Sequence, residues 1–141
     1  MFASEIVRHQ RSRGTDSHGS GQFGSSRAGG SRTHAGLDII VHEGEAVLSP
    51  IEGEVTREAL PYANDQRFRG LVIEGVGEWV GYEIKMFYVQ GILCGRVSPG
   101  SVVGYAQSIA RKYPGITDHV HVEVRVNGAL LSPFEMFGQC F

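Results

Sequence analysis

Near the end of the chain His119, His121 and Glu123 alternate with Val120, Val122, Val124 and Val126. Such period-two alternation marks a half-buried strand, whose successive side chains point to opposite faces. The pattern predicts a strand over residues 119–126 with both imidazoles and the carboxylate on one face. Along that face the histidines stand about 7 Å apart and can converge on one ion or one reacting group. A merely solvated polar face would read the same way, so partners elsewhere must decide. Upstream, His34 and Asp38 flank Gly36 at the entry to a second alternating run, residues 37–41. An i, i+4 pair in a fully extended chain is about 13 Å apart, so both side chains reach one centre only if the entry bends. Gly36 permits the bend because it lacks a Cβ. Together the two segments supply imidazoles and a carboxylate, the donor set of a zinc ion with three protein ligands and a fourth position open to water.

Other residues are weaker candidates. His18 lies in a Gly/Ser-rich stretch (residues 10–33) that reads as loop, and His42 lies just past the 37–41 run, on the polar face with Asp38 but far enough along it to be only a minor ligand candidate. The glycine-rich stretch carries no GxxxxGK[ST] sequence and no strand–loop–helix context, so phosphate binding is set aside.

The elements that must position these residues follow from length and composition. At 141 residues, with 41% hydrophobic and 20% charged residues, the chain is expected to form one globular domain. Residues 1–14 are read as an N-terminal segment free to be flexible, and residues 15–141 as the domain. No apolar run approaches the ~18 residues of a membrane span. The opening residues lack the apolar core of a signal peptide, so the protein stays inside the cell or the chain begins after processing. The net charge of −2 gives no reason to expect nucleic acid. Residues 46–55 read as two short strand pieces around a Pro and Gly break, 71–74 and 84–89 as central strands, and 97–104 as turn then strand, with a helical turn or two over 106–113. Amphipathic helices of ten or more residues alternating with strands are lacking, which excludes a doubly wound α/β fold. The expected class is mostly β, a sandwich or folded-over antiparallel sheet with short helical turns. The apolar residues 133–137 are expected to dock on the core.

The motifs His34-Ala35-Gly36-Leu37-Asp38 and His119-Val120-His121 resemble the HxGxD and HxH motifs of lysostaphin-like zinc metallopeptidases. With Lys85-Met86-Phe87-Tyr88 and Tyr113-Pro114-Gly115-Ile116, and the stretch from Asp16 to Phe23, the chain is more similar to the chemotaxin-2 and myb-induced myeloid protein family, which shares that fold. The resemblance implies one zinc per chain, held by His34, Asp38 and His121. It implies that His119 assists a metal-bound water in the peptidases. A second histidine there stabilises the developing oxyanion, and Tyr88 stands in its place here, as in the chemotaxin-like proteins.

These implications leave two functional readings. One is an extracellular, cytokine-like or immune-related domain that binds a cell-surface receptor or a glycan without peptidase activity. The other is a zinc peptidase acting on glycine-rich peptide or peptidoglycan cross-links. The family's disulfides are not matched: Thr15, Ser20, Val41 and Glu83 stand where it has cysteine, and Cys94 and Cys140 fall elsewhere. Secretion therefore rests on the resemblance and is opposed by cysteine usage.

Overall fold

The computed structural model describes residues 2–8, 10, 15–16, 19–20, 26–27, 32–33, 36–92 and 94–136. Four two-residue strands come first: β1 (Thr15–Asp16) pairs with β2 (Gly19–Ser20), and β3 (Ser26–Arg27) with β4 (Arg32–Thr33). Then follow β5 (Leu37–Ile40), β6 (Ala46–Leu48), β7 (Gly53–Ala59), β8 (Gly70–Gly75) and β9 (Tyr82–Phe87). The last strands are β10 (Val89–Gly91), β11 (Gly95–Val97), β12 (Val102–Ala106), β13 (His119–Val126) and β14 (Ala129–Leu131). One short helix, α1 (Pro133–Met136), closes the described chain. Among the described residues every strand pair is antiparallel, and the architecture is mostly β as the alternation implied.

The larger sheet runs β11-β7-β8-β9-β13-β14, and β5 pairs with the first half of β13 on the edge that β14 borders further along. The smaller sheet is β10-β12-β6. The valines of β13 behave as the pattern requires: Val120, Val122 and Val124 are fully buried. They join a core that takes Leu37 and Ile39 from β5, Ile73 from β8 and Met86 from β9, and Val47, Val89 and Val103 from the smaller sheet. Phe2, Ile6 and Val7 enter the same core. Among the described residues no helix is long and apolar enough to cross a membrane.

Three details differ from the sequence reading. Residues 84–89 do not form one strand, because Tyr88 has a left-handed backbone (φ 69°) that ends β9 and starts β10 in the other sheet. The helical stretch expected over 106–113 is a single 3-10 turn at Ile109–Arg111. An Asn127-Gly128 hairpin, with φ of 50° and 85°, adds β14. Both central residues have positive φ, as a type I′ turn demands. At the end, Met136 docks on the core and its carbonyl accepts a hydrogen bond from the Phe2 N–H.

Candidate metal centre

Antiparallel pairing of β5 with β13 sets Asp38 opposite His121, and His119 lies two residues away on the same face. His121 Nδ1 is 2.9 Å from Asp38 Oδ1, and His119 Nε2 is 3.4 Å from Asp38 Oδ2. The cluster is buried: Asp38 is 2% exposed and His119 4%. The approach to His119 is fixed by Asp118, whose carboxylate accepts hydrogen bonds from Ser108 Oγ and the Ala110 N–H at the head of the 3-10 turn.

Each ring's other nitrogen also has a partner. His119 Nδ1 is 2.7 Å from the Thr117 carbonyl. A carbonyl can only accept, so Nδ1 carries the proton and in the neutral ring Nε2 is the basic nitrogen, turned toward Asp38. His121 Nε2 is 2.9 Å from Glu123 Oε2, and Arg125 Nη1 donates to Glu123 Oε1 at 3.0 Å. The Phe87 ring lies nearly parallel to His121, with centroids 5.7 Å apart.

This arrangement fixes the signs of the electrostatics. Burial opposes a charge on His121, but hydrogen bonds to Asp38 and Glu123 outweigh it and raise its pKa. The hydrogen bond from His121, against burial and aided by Arg125, pulls Glu123 down to about 2. In the metal-free protein Glu123 therefore contributes stability that is whole above its ordinary 4.5 and is lost as pH falls toward 2. His121 contributes stability that is whole below its ordinary 6.5 and is lost as pH rises through its folded value. The pair contributes most between those two limits, with the acid limb worth on the order of 3 kcal/mol at most. Melting of the metal-free chain followed against pH is expected to weaken on both sides of that window, and Glu123→Gln to flatten the acid side. An acid limb that keeps its slope in the variant would contradict this assignment.

Asp38, His119 and His121, three of the four residues singled out from sequence, are thus brought together. The fourth, His34, lies outside the described residues, as do His18 and Cys140. His42 is exposed beyond the end of β5, with its N–H donating to Glu45. Among the described residues no group of three or more His, Cys, Asp or Glu side chains is arranged to hold a metal. The described part of the resemblance-implied ligand set is Asp38 and His121, and its donor chemistry suits zinc. The 2.9 Å between His121 Nδ1 and Asp38 Oδ1 is a hydrogen bond in this structure, and an ion held by both groups would take the place of its proton.

Comparison with known proteins settles the family. Leukocyte cell-derived chemotaxin-2 of Bos taurus is 33% identical over 110 residues, which cover 77% of this chain and 69% of the relative. The chain belongs to the leukocyte cell-derived chemotaxin-2 family. No protein-family model matches the sequence. Among solved structures, lysostaphin superposes with a TM-score of 0.67 at 14% identity, over 98% of this chain and 55% of lysostaphin. A zinc-containing peptidase from Vibrio cholerae superposes with a TM-score of 0.64 at 19% identity, over 92% of this chain but only 38% of the peptidase. At these identities the structural likeness establishes the fold, which is that of the lysostaphin-like peptidases.

Beside the centre, this chemotaxin-2-family chain builds an aromatic wall that the sequence did not announce. The Tyr88 ring stands edge-on to His119 with centroids 5.3 Å apart, and its hydroxyl is 3.1 Å from that of Tyr62. Burial and the hydrogen bond to Tyr88 raise the Tyr62 phenol far above its ordinary pKa, which keeps it a neutral donor. Lys112 Nζ sits 4.7 Å from the Tyr62 ring centroid and 3.1 Å from Asp65 Oδ2. Residues 61–70 thus contribute Tyr62 and Asp65 to this wall. Tyr113-Pro114-Gly115-Ile116 forms a tight turn, with the Ile116 N–H donating to the Tyr113 carbonyl and Gly115 at φ 93°. Glu123 stood on the predicted polar face, but only the folded geometry gives it a partner.

Proposed function

We propose that this chain is a zinc-binding domain that works outside the cell by engaging a protein receptor or a glycan rather than by cutting peptides. In this reading His34, Asp38 and His121 hold one zinc, and the binding free energy of the ion adds to folding because the unfolded chain lacks the site. The observation that carries the reading is closure. Asp38 and His119 are almost wholly buried, and the Tyr88 ring stands against His119. A hydrolase must bring a substrate carbonyl within reach of both metal and base, and a site closed to this degree favours holding an ion over turning over a substrate. Tyr88 replaces the peptidases' second histidine, and losing one charge-stabilising donor typically costs on the order of 100-fold in rate.

A peptidase acting on glycine-rich or peptidoglycan cross-links is the competing reading. It is favoured by the tautomer of His119, whose Nε2 is left as a base by the Thr117 carbonyl. Bound zinc would supply a water of pKa about 7 and polarise a carbonyl. Elemental analysis for zinc, paired with hydrolysis of a pentaglycine-linked reporter peptide by the same sample, separates the two. The expected result is near one zinc per chain and no turnover. Turnover that His119→Ala abolishes while the metal stays bound would make the protein a peptidase, and a wild type without affinity for zinc would remove both readings.

A further inference from the structure

An imidazole offers two nitrogens, and a ligand histidine serves only if the correct one faces the ion with its lone pair available. We propose that Glu123 is the positioning residue for the metal centre: by accepting a hydrogen bond from His121 Nε2–H, it presents Nδ1 toward Asp38 as the ligating nitrogen. This inference rests on the zinc reading above and assigns a role beyond the three implied ligands.

The two ends of the His121 ring are not equivalent. At the Nδ1 end lies Asp38, the carboxylate that His119 also faces. At the Nε2 end lies Glu123, which is already anchored: Oε2 meets the ring at 2.9 Å and Oε1 receives Arg125 at 3.0 Å. Lys85 of β9 stands opposite Glu123 in the register of β9 with β13 and adds a second positive charge on this side. The backbone at Gly36 passes so close that a Cβ there would lie 3.0 Å from Nε2. Compensated by two cations and crowded by backbone, the Nε2 end is a fixed anchor, and Phe87 holds the plane of the ring. Glu123 is two residues from His121 and so shares its face of β13 by the period of the strand. Orienting carboxylates of this kind also raise the basicity of the ligand, and removing them typically costs 10- to 100-fold in metal affinity.

The test measures zinc affinity of the full chain by competition with a chromophoric chelator, for the wild type, Glu123→Leu and Glu123→Gln. Leucine fills the buried position but cannot accept a hydrogen bond, so a 10- to 100-fold loss is expected. Glutamine accepts through its amide oxygen without the charge, and an intermediate loss, roughly three- to tenfold, is expected. Nitrogen-15 NMR of the zinc-loaded wild type supplies a readout that a packing role would not move: the single His121 ring proton should reside on Nε2. Wild-type affinity in both variants, or in Glu123→Gln alone if the leucine variant does not fold, overturns the proposal. A ring proton on Nδ1 overturns it too. A wild type that binds no zinc fails differently, because then the zinc reading itself is wrong.

Discussion

Replacing Asp38 with alanine is expected to abolish stoichiometric zinc binding and to lower the unfolding free energy of the metal-free chain by about 3–5 kcal/mol. Asp38 is 2% exposed, and its two oxygens face two imidazoles. The raised pKa of His121 means that its proton depends on carboxylates at both ends. Deleting one of them leaves a buried cation half compensated, the situation in which breaking a buried pair is most costly. A loss of that size lowers the melting temperature of a domain of this length by roughly 10 °C or more. Elemental analysis after zinc loading measures the first effect, and denaturant unfolding of the metal-free protein measures the second. Asp38→Asn should fall between the two, since its amide oxygen still accepts one hydrogen bond from an imidazole. A variant Asp38→Ala that melts like the wild type and keeps one zinc would show that the centre lies elsewhere.

Gly36→Ala is expected to be nearly as damaging, although it adds a single methyl group. A Cβ at this position would lie 2.2 Å from the Val122 carbonyl oxygen and 3.0 Å from His121 Nε2. The first obstacle is backbone of the central strand and cannot rotate aside, so the start of β5 must move away from β13. Overpacking of this kind costs about 3 kcal/mol. The shift also separates Asp38 from His121, so zinc affinity should fall together with stability. Gly44→Ala is the informative control. Nothing lies within 4 Å of its added Cβ, and its penalty comes only from a backbone at φ 86°. That penalty should be about 1–2 kcal/mol with zinc affinity unchanged. Equal effects of the two alanines on zinc would contradict the steric account of Gly36.

How far the sequence could be read depended on whether a feature is local or created by pairing. The valines of β13 gave away both the strand and the face carrying His119 and His121, because alternation is a property of the strand itself. The convergence of Asp38 with them was legible as chemistry, a donor set in search of a centre, although the register that brings them together belongs to the sheet. Glu123 was visible on the face but not as an anchor, since its meaning comes from the nitrogen it meets and from Arg125 beyond it. The break at Tyr88 was illegible for a different reason. A tyrosine between apolar residues looks like strand, and only the demands of two sheets force it into a left-handed backbone. Asn127-Gly128 was a readable hairpin signal that the strand count left out, because the run after it is short and exposed.

The position of β13 in the larger sheet has a consequence for the order in which the molecule comes into being. Strands β9, β5 and β14 all pair with it, yet 83 residues separate His121 from Asp38. During synthesis the histidines leave the ribosome long after the carboxylate they meet. Until then β5 and β9 have no strand between them, and their pairing edges stand open as templates for other chains. Closing so long a loop is slow relative to local contacts. The cluster of Asp38, His119 and His121 can therefore assemble only once β13 has joined the sheet, and on the zinc reading proposed above zinc uptake would report that the whole sheet has closed.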